Sequence, residues 1–275
     1  MFTLNCKGKL LAIGSPLVMG IINCTPDSFY KGNIADDLLP LAESMINAGA
    51  AILDIGGQST RPGSERISIK EETARAVPVI KMISRHFPGT IISVDTYQSE
   101  VAKAAVDAGA SIVNDISAGS MDLQMIPTVA KLGTAYICMH MKGTPETMQR
   151  DIHYDDVVKE VLDFFIQKIA GCKEAGITDI IIDPGFGFGK TIEHNFKLLK
   201  ELGVFSMLDK PVLAGLSRKA TVYKTLNTTA ADALNGTTVL NTIAVQNGAS
   251  ILRVHDVKEA REVVTLLEAY NNLKI

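Results

Sequence analysis

Short apolar runs alternate along this chain with longer stretches whose apolar residues recur at helical spacing. The runs cover residues 17–24, 52–56, 90–95, 111–116, 134–140, 179–183, 211–216 and 250–255. Their length and β-branched content suit strands buried on both faces. Between them, Leu38, Leu41, Ala42, Met45 and Ile46 repeat every three or four residues, and so do Val157, Val158, Val161, Leu162, Phe165 and Ile169. Strand and helix in alternation predict a parallel sheet. A quasi-repeat marks the returns: Asn47-Ala-Gly-Ala, Asp107-Ala-Gly-Ala, Glu174-Ala-Gly-Ile and Asn247-Gly-Ala each close a helical stretch just before a strand, the glycine serving as a left-handed stop. Eight such units in 275 residues fit the roughly 250 residues usual for a (β/α)8 barrel. We therefore expect an α/β fold, a (β/α)8 TIM barrel, with residues 1–275 as a single domain. A doubly wound open sheet is the alternative, although no G-x-G-x-x-G follows the first strand.

Each apolar run carries a polar cluster near its end: Asn23, the segment Gly56-Gly57-Gln58-Ser59-Thr60-Arg61, Asp95, Asn114-Asp115, His140, Asp183, Ser217-Arg218-Lys219, and Arg253 with His255. On a barrel these ends share one rim, where active sites are built. The irregular stretches 25–36, 58–68 and 142–154 follow the first, second and fifth strands, which places them on that same face.

Composition narrows the partners. The chain is 47% hydrophobic and 21% charged with a formal charge of -3, so nothing in it attracts nucleic acid or a membrane surface. Cys6, Cys24, Cys138 and Cys172 have no metal-binding spacing and read as reduced, buried thiols of a cytoplasmic protein. The apolar stretch 10–24 is broken by Pro16 and lacks a small-residue cleavage site, so it is not expected to direct export.

The clusters then divide by chemistry. Asn23 either caps a turn or offers a neutral hard oxygen to Mg2+ carried in partly by substrate phosphates. In Gly56-Gly57-Gln58-Ser59-Thr60-Arg61-Pro62-Gly63 the glycines allow close backbone approach, and the hydroxyls and guanidinium can meet an anion. Asp95, Asn114 and Asp183 bring acceptors from three strands, suited to a heterocycle with amino and ring N–H donors. The segment Asp183-Pro-Gly-Phe-Gly-Phe-Gly-Lys190-Thr191 approaches a phosphate-binding P-loop, but proline stands where the first glycine belongs. It holds Phe186 and Phe188 as a possible aromatic wall. Ser217, Arg253 and His255 follow the seventh and eighth strands, the usual phosphate corner of a barrel, with Arg253 offering a bidentate fork. His86, His153 and His194 read as surface or helix-end residues, while His140 suits either a ligand or packing.

These motifs resemble the dihydropteroate synthase family over nearly the whole chain, from Asn23-x-Thr-Pro-Asp-Ser-Phe29 through Met139-His140-Met141 to Arg253-Val-His255-Asp256. The resemblance implies a (β/α)8 enzyme of folate synthesis joining 6-hydroxymethyl-7,8-dihydropterin pyrophosphate to 4-aminobenzoate. It implies that Asp95, Asn114, Asp183 and Lys219 hold the pterin, and that Thr60, Arg253 and His255 handle the pyrophosphate, with Asn23 acting through Mg2+. Arg61, Pro62, Phe188 and the start of the helix after Lys219 then shape the aminobenzoate pocket. A homodimer through the later helices is also implied, which the apolar run Val239, Leu240, Ile243, Ala244 and Val245 permits. Three departures from the family pattern are Gln58 for glutamate, Ala220 for serine, and a short first loop over 30–36. The competing readings are a pterin-dependent methyltransferase, disfavoured by the phosphate-suited cluster, and a pterin-binding paralogue without turnover.

Overall fold

The computed structural model describes residues 1–24, 34–61, 63–150 and 152–272, with the backbone alone at 34–36. It opens with a hairpin, β1 (Phe2–Cys6) and β2 (Lys9–Ile13), in antiparallel register. Eight parallel strands follow: β3 (Leu17–Asn23), β4 (Ile52–Gly56), β5 (Ile91–Asp95), β6 (Ile112–Asp115), β7 (Ala135–Met139), β8 (Ile180–Asp183), β9 (Leu213–Ala214) and β10 (Ile251–Val254). Their order is β8-β7-β6-β5-β4-β3-β10-β9. A parallel bridge between Ile182 and Val212 joins the two ends and closes the barrel. The helices are α1 (Ile34–Asn47), α2 (Ile69–His86), α3 (Ser99–Ala108), α4 (Met125–Leu132), α5 (Val157–Glu174), α6 (Ile192–Lys200), α7 (Ala220–Thr225), α8 (Leu234–Gln246) and α9 (Val257–Asn271).

All eight expected strands are present, several shorter by a residue or two. The largest trimming is at 211–216, reduced to Leu213–Ala214; Pro211 has no N–H to donate, although its carbonyl accepts from Ile182 at 3.0 Å. The helix stops also hold: Gly49, Gly109, Gly176 and Gly248 all take positive φ, between 96° and 126°. Three helix starts are fixed by side chains. Ser68 accepts from the Glu71 N–H, Asp156 from those of Val158 and Lys159, and Thr191 forms a reciprocal cap with His194.

Side chains alternate inward and outward along each strand. Outward residues such as Leu53, Ile55, Val94 and Ile182 join the main core beneath the helices. Inward residues at the amino ends, including Met19, Ile52, Ile91, Ile112, Ile181 and Ile251, form a second apolar layer within the barrel. Leu4, Cys6, Leu11 and Ile13 of the hairpin pack against that layer. Pattern reading took 10–24 as one apolar run. The structure divides it, because Lys7 and Gly8 both adopt positive φ (51° and 86°), the backbone of a two-residue hairpin turn. The hairpin is tied down by the Asn5 N–H, which donates to Asp179 at 2.8 Å, and by Lys9, whose ammonium donates to the carbonyls of Pro88 and Thr90. With the amino end floored in this way, the inward polar residues lie toward the carboxyl end.

Candidate active site

The centre of the site is a guanidinium between two carboxylates. Arg253 points inward from β10; its Nε donates to Asp54 Oδ2 at 2.6 Å and an Nη to Asp95 Oδ2 at 2.6 Å. Asp54 Oδ2 also accepts from Asn114 Nδ2 at 3.0 Å. Asp54 lies on β4 between inward Ile52 and Gly56, one layer beneath the rim. Oδ1 of Asp54 and Oδ1 of Asp95 are both buried without a hydrogen-bond partner. Burial raises the Asp95 carboxyl to about 7 against the opposing pull of Arg253, with Asp54 adding to the rise. Two carboxylates thus share one cation, and a hydrogen-bond donor is what the buried Oδ1 of Asp95 lacks. Because Asn114 spends its amide N–H on Asp54, its carbonyl oxygen remains as an acceptor.

Asp183 ends β8 on the neighbouring wall. Its Oδ1 accepts from the Gly185 N–H at 2.7 Å, and burial raises its pKa while Lys219 opposes the rise. Lys219 donates to the Phe186 carbonyl at 2.5 Å and stands 4.8 Å from the centroid of the Phe188 ring. Burial lowers the Lys219 ammonium to about 8, with Asp183 pulling the other way. Phe188 belongs to an apolar cluster with Tyr97, Ile116 and Met139, together with Met121 and Met141. Phe188 thus packs among apolar side chains, beside one ammonium.

The phosphate corner is only partly as the sequence suggested. Ser217 Oγ accepts from the His255 N–H at 3.2 Å and lies 2.9 Å from His255 Nδ1. Burial, reinforced by Arg253, holds His255 near 4, so the ring is neutral at ordinary pH. If Ser217 accepted from Nδ1 as well, its own proton would lack a partner in a buried place. Ser217 therefore donates to Nδ1, and the imidazole carries its proton on Nε2. Arg218 is not part of the site: at φ 54° it turns outward to Asp256, at 2.8 Å for both Nε and Nη2, and to the carbonyls of Ala230 and Ala231. The helix beginning at Ala220 is six residues long.

Asn23 closes β3, half-buried and in register with Gly56. Beyond the motif's Cys24, residues 25–33 lie outside the described residues, as does Pro62. Gly56 faces the interior, where an added Cβ would meet Asp95, but Gly57 faces α2, where it would lie 2.9 Å from the Glu72 carbonyl. The second glycine therefore serves helix packing, not ligand approach. Gln58 donates to the carbonyls of Ser59 and Glu65 at 2.8 and 2.9 Å and accepts from the Ile67 N–H at 2.8 Å. It closes the 58–67 loop with two donor bonds that a glutamate could not make. Thr60 on this loop is half-buried and Arg61 is exposed, its charge reaching His255. Asp54, Tyr97, Ile116 and Met139 were missed as site residues. Asp115, by contrast, faces outward to Ser117, Gly119 and Tyr136 and holds the loop after β6.

The profile of the pterin binding enzyme family matches residues 19–255. A dihydropteroate synthase of Escherichia coli (strain K12) is 43% identical over 268 residues, covering 96% of this chain and 94% of the relative. The solved dihydropteroate synthase of Xanthomonas albilineans with 4-aminobenzoic acid superimposes at a TM-score of 0.93, with 38% identity and 99% of both chains covered. The same enzyme in complex with 7,8-dihydropteroate gives 0.90, at 36% identity over 99% of this chain and 100% of that one. An acid-lined barrel mouth of this geometry, matched over nearly its full length to those enzymes, places the chain in the dihydropteroate synthase family of pterin-binding transferases.

Proposed function

We propose that this barrel mouth condenses 6-hydroxymethyl-7,8-dihydropterin pyrophosphate with 4-aminobenzoate, giving 7,8-dihydropteroate and pyrophosphate. The observation carrying this reading is the acceptor set of Asp95, Asn114 and Asp183, with Asp95 Oδ1 buried and unpartnered. It matches a ring that presents adjacent amino and N–H donors. Lys219 offers the complementary donor on the same wall, and the slot of Tyr97, Ile116, Met139 and Phe188 excludes water from the ring faces.

Pyrophosphate departs from the exocyclic methylene with the electron pair of its C–O bond, leaving positive charge on the pterin. The carboxylates of Asp95 and Asp183 stabilise that charge. The arylamine nitrogen then donates its lone pair to form the C–N bond and loses a proton to solvent or to the leaving group. Arg253, with one Nη beyond its two carboxylates, the Nε2–H of His255 and the hydroxyl of Thr60 receive the pyrophosphate, while Ser217, whose proton goes to His255 Nδ1, holds that ring in the tautomer that donates. Arg61 and Phe188 bound the aminobenzoate, and the part expected of Pro62 falls outside the described residues. No strong base is needed, in keeping with a neutral His255.

Among the described residues no three His, Cys, Asp or Glu side chains gather to hold a metal, so Mg2+ would rest on the Asn23 carbonyl oxygen and on the substrate's own phosphates. That donor set is hard and neutral, as a phosphate-borne Mg2+ requires. Bound there, the ion supplies charge neutralisation to the leaving group.

We also infer a homodimer in the cytoplasm. Leu240 and Ala244 of the apolar run in α8 are buried in the core beneath the helices, whereas Val239 is exposed, as are Leu266 and Tyr270 of α9. All four cysteines are free and buried, and among the described residues no helix is long and apolar enough to cross a membrane.

The test is direct: purified protein with the dihydropterin pyrophosphate, Mg2+ and 4-aminobenzoate, read by mass spectrometry for dihydropteroate and by pyrophosphate release. Matching yields that vanish with EDTA support the reading. Pterin bound without product favours the binder without turnover.

A further inference from the structure

We propose that Lys190 is a positioning residue, which gathers the loop between β8 and α6 so that Phe188 presents a fixed wall to the substrates. This deepens the reading above and rests on it. The failed P-loop motif leaves Lys190 without a phosphate to bind, and the structure gives it another occupation. It is 3% exposed. Its Nζ lies 2.9 Å from His140 Nδ1 and donates to the carbonyls of His140 at 3.3 Å, Gly185 at 3.0 Å and Phe188 at 3.0 Å. Among the described residues no carboxylate directly pairs with it, and a buried ammonium without a counter-ion is expensive in desolvation. An apolar chain of the same length would avoid that penalty, so the ammonium is retained for what it holds.

What it holds is a loop with little room to relax. Gly185 and Gly189 take φ of 68° and 64°; a Cβ at the first would lie 1.9 Å from the His140 carbonyl oxygen, and at the second 2.4 Å from that of Lys142. The loop is therefore pressed onto the chain leaving β7. Lys190 draws three of the surrounding carbonyls and one imidazole nitrogen to a single point. His140 suits this role because burial depresses its pKa to about 2, leaving Nδ1 as an acceptor for the ammonium. Burial brings Lys190 itself down to about 7, with Asp183 opposing and Lys219 assisting the fall. On the loop's other side the Phe186 carbonyl receives Lys219, and the Phe188 ring lies beneath that ammonium. Lys190 touches no substrate position; it acts through Phe188.

Lys190→Met, with Phe188→Ala and the double variant, forms the test. Lys190→Met should raise KM for 4-aminobenzoate about ten-fold, one charge-assisted hydrogen bond's worth, with kcat less affected. In the Phe188→Ala background the same change should move KM by less than about two-fold, since neighbours acting through one another are not additive. Hydrogen exchange at residues 185–189 should quicken in Lys190→Met. Should that variant not fold, His140→Leu removes one acceptor, leaves the lysine, and should raise KM in the same direction. Additive effects in the two backgrounds, or unchanged exchange at 185–189, would overturn the proposal. The exchange measurement needs no turnover, so it separates this inference from the reaction assigned above.

Discussion

Asp54→Asn separates binding geometry from stability. Asp54 Oδ2 accepts both Arg253 Nε and Asn114 Nδ2, while its Oδ1 is buried with no partner. Asparagine keeps the volume, and its carbonyl can replace Oδ2. The bond to Arg253 then loses charge assistance, a change of about 1–2 kcal/mol against the native state. The same change removes a buried carboxylate charge, a relief of about 1–3 kcal/mol, while the Nδ2 that takes the place of Oδ1 is as short of a partner as that oxygen was. The two nearly cancel, so stability from urea unfolding should shift by no more than about 1 kcal/mol. Function has no such offset, because Asp54 sets which nitrogen of Arg253 faces the mouth and which end of the Asn114 amide faces the pterin. Losing about 2 kcal/mol of that orientation would lower kcat/KM for the dihydropterin pyrophosphate about 30-fold. Steady-state pyrophosphate release measures it. A fall below about three-fold would mean that Asp95 alone orients Arg253, and a stability loss as large as the kinetic loss would make Asp54 a structural residue only.

Asn23→Ala should depress turnover far more than thermal stability, and equal losses would reduce Asn23 to a turn residue. Arg253→Ala would strand two buried carboxylates and lose about 3–5 kcal/mol of stability. Arg253→Lys is the cleaner probe: calorimetry should show weaker pyrophosphate binding as the fork is lost, and unchanged affinity would remove Arg253 from the site. Lys219, lowered to about 8 by burial, is charged below that pH and neutral above it. The kcat/KM profile should therefore fall on its alkaline side near 8, and Lys219→Arg should move that limb upward; a limb that stays in place assigns it to another group.

Much of the barrel was legible because parallel strands buried on both faces read as unbroken Ile and Val runs, and because glycine marks the stops of α1, α3, α5 and α8. The amino-terminal hairpin was not, since its turn depends on Lys7 adopting a positive φ, which its residue type does not announce. Site residues at strand ends were legible for the reason that carboxyl ends of barrel strands share one rim. Asp54 escaped because it lies two residues earlier; its signal was parity, a carboxylate at an inward position between Ile52 and Gly56. Arg218 shows the opposite failure. Its neighbours Ser217 and Lys219 face the mouth, but the backbone turn at Arg218 aims it at Asp256, a direction set by φ and not by composition.

The hairpin beneath the barrel makes the reaction chamber a blind well. Leu4, Cys6, Leu11 and Ile13 seal one end, leaving a single opening for everything that enters or leaves. Asp54 and Asp95 lie down inside that well and the exposed Arg61 lies at its lip, so a molecule bound against the carboxylates must enter before one bound at the lip. A second molecule lodged at the lip, the place proposed for the aminobenzoate, then acts as a stopper, and its residence sets how long the deeper one stays trapped. Traffic through one doorway thereby imposes an order on the cycle that the chemistry of condensation does not itself demand.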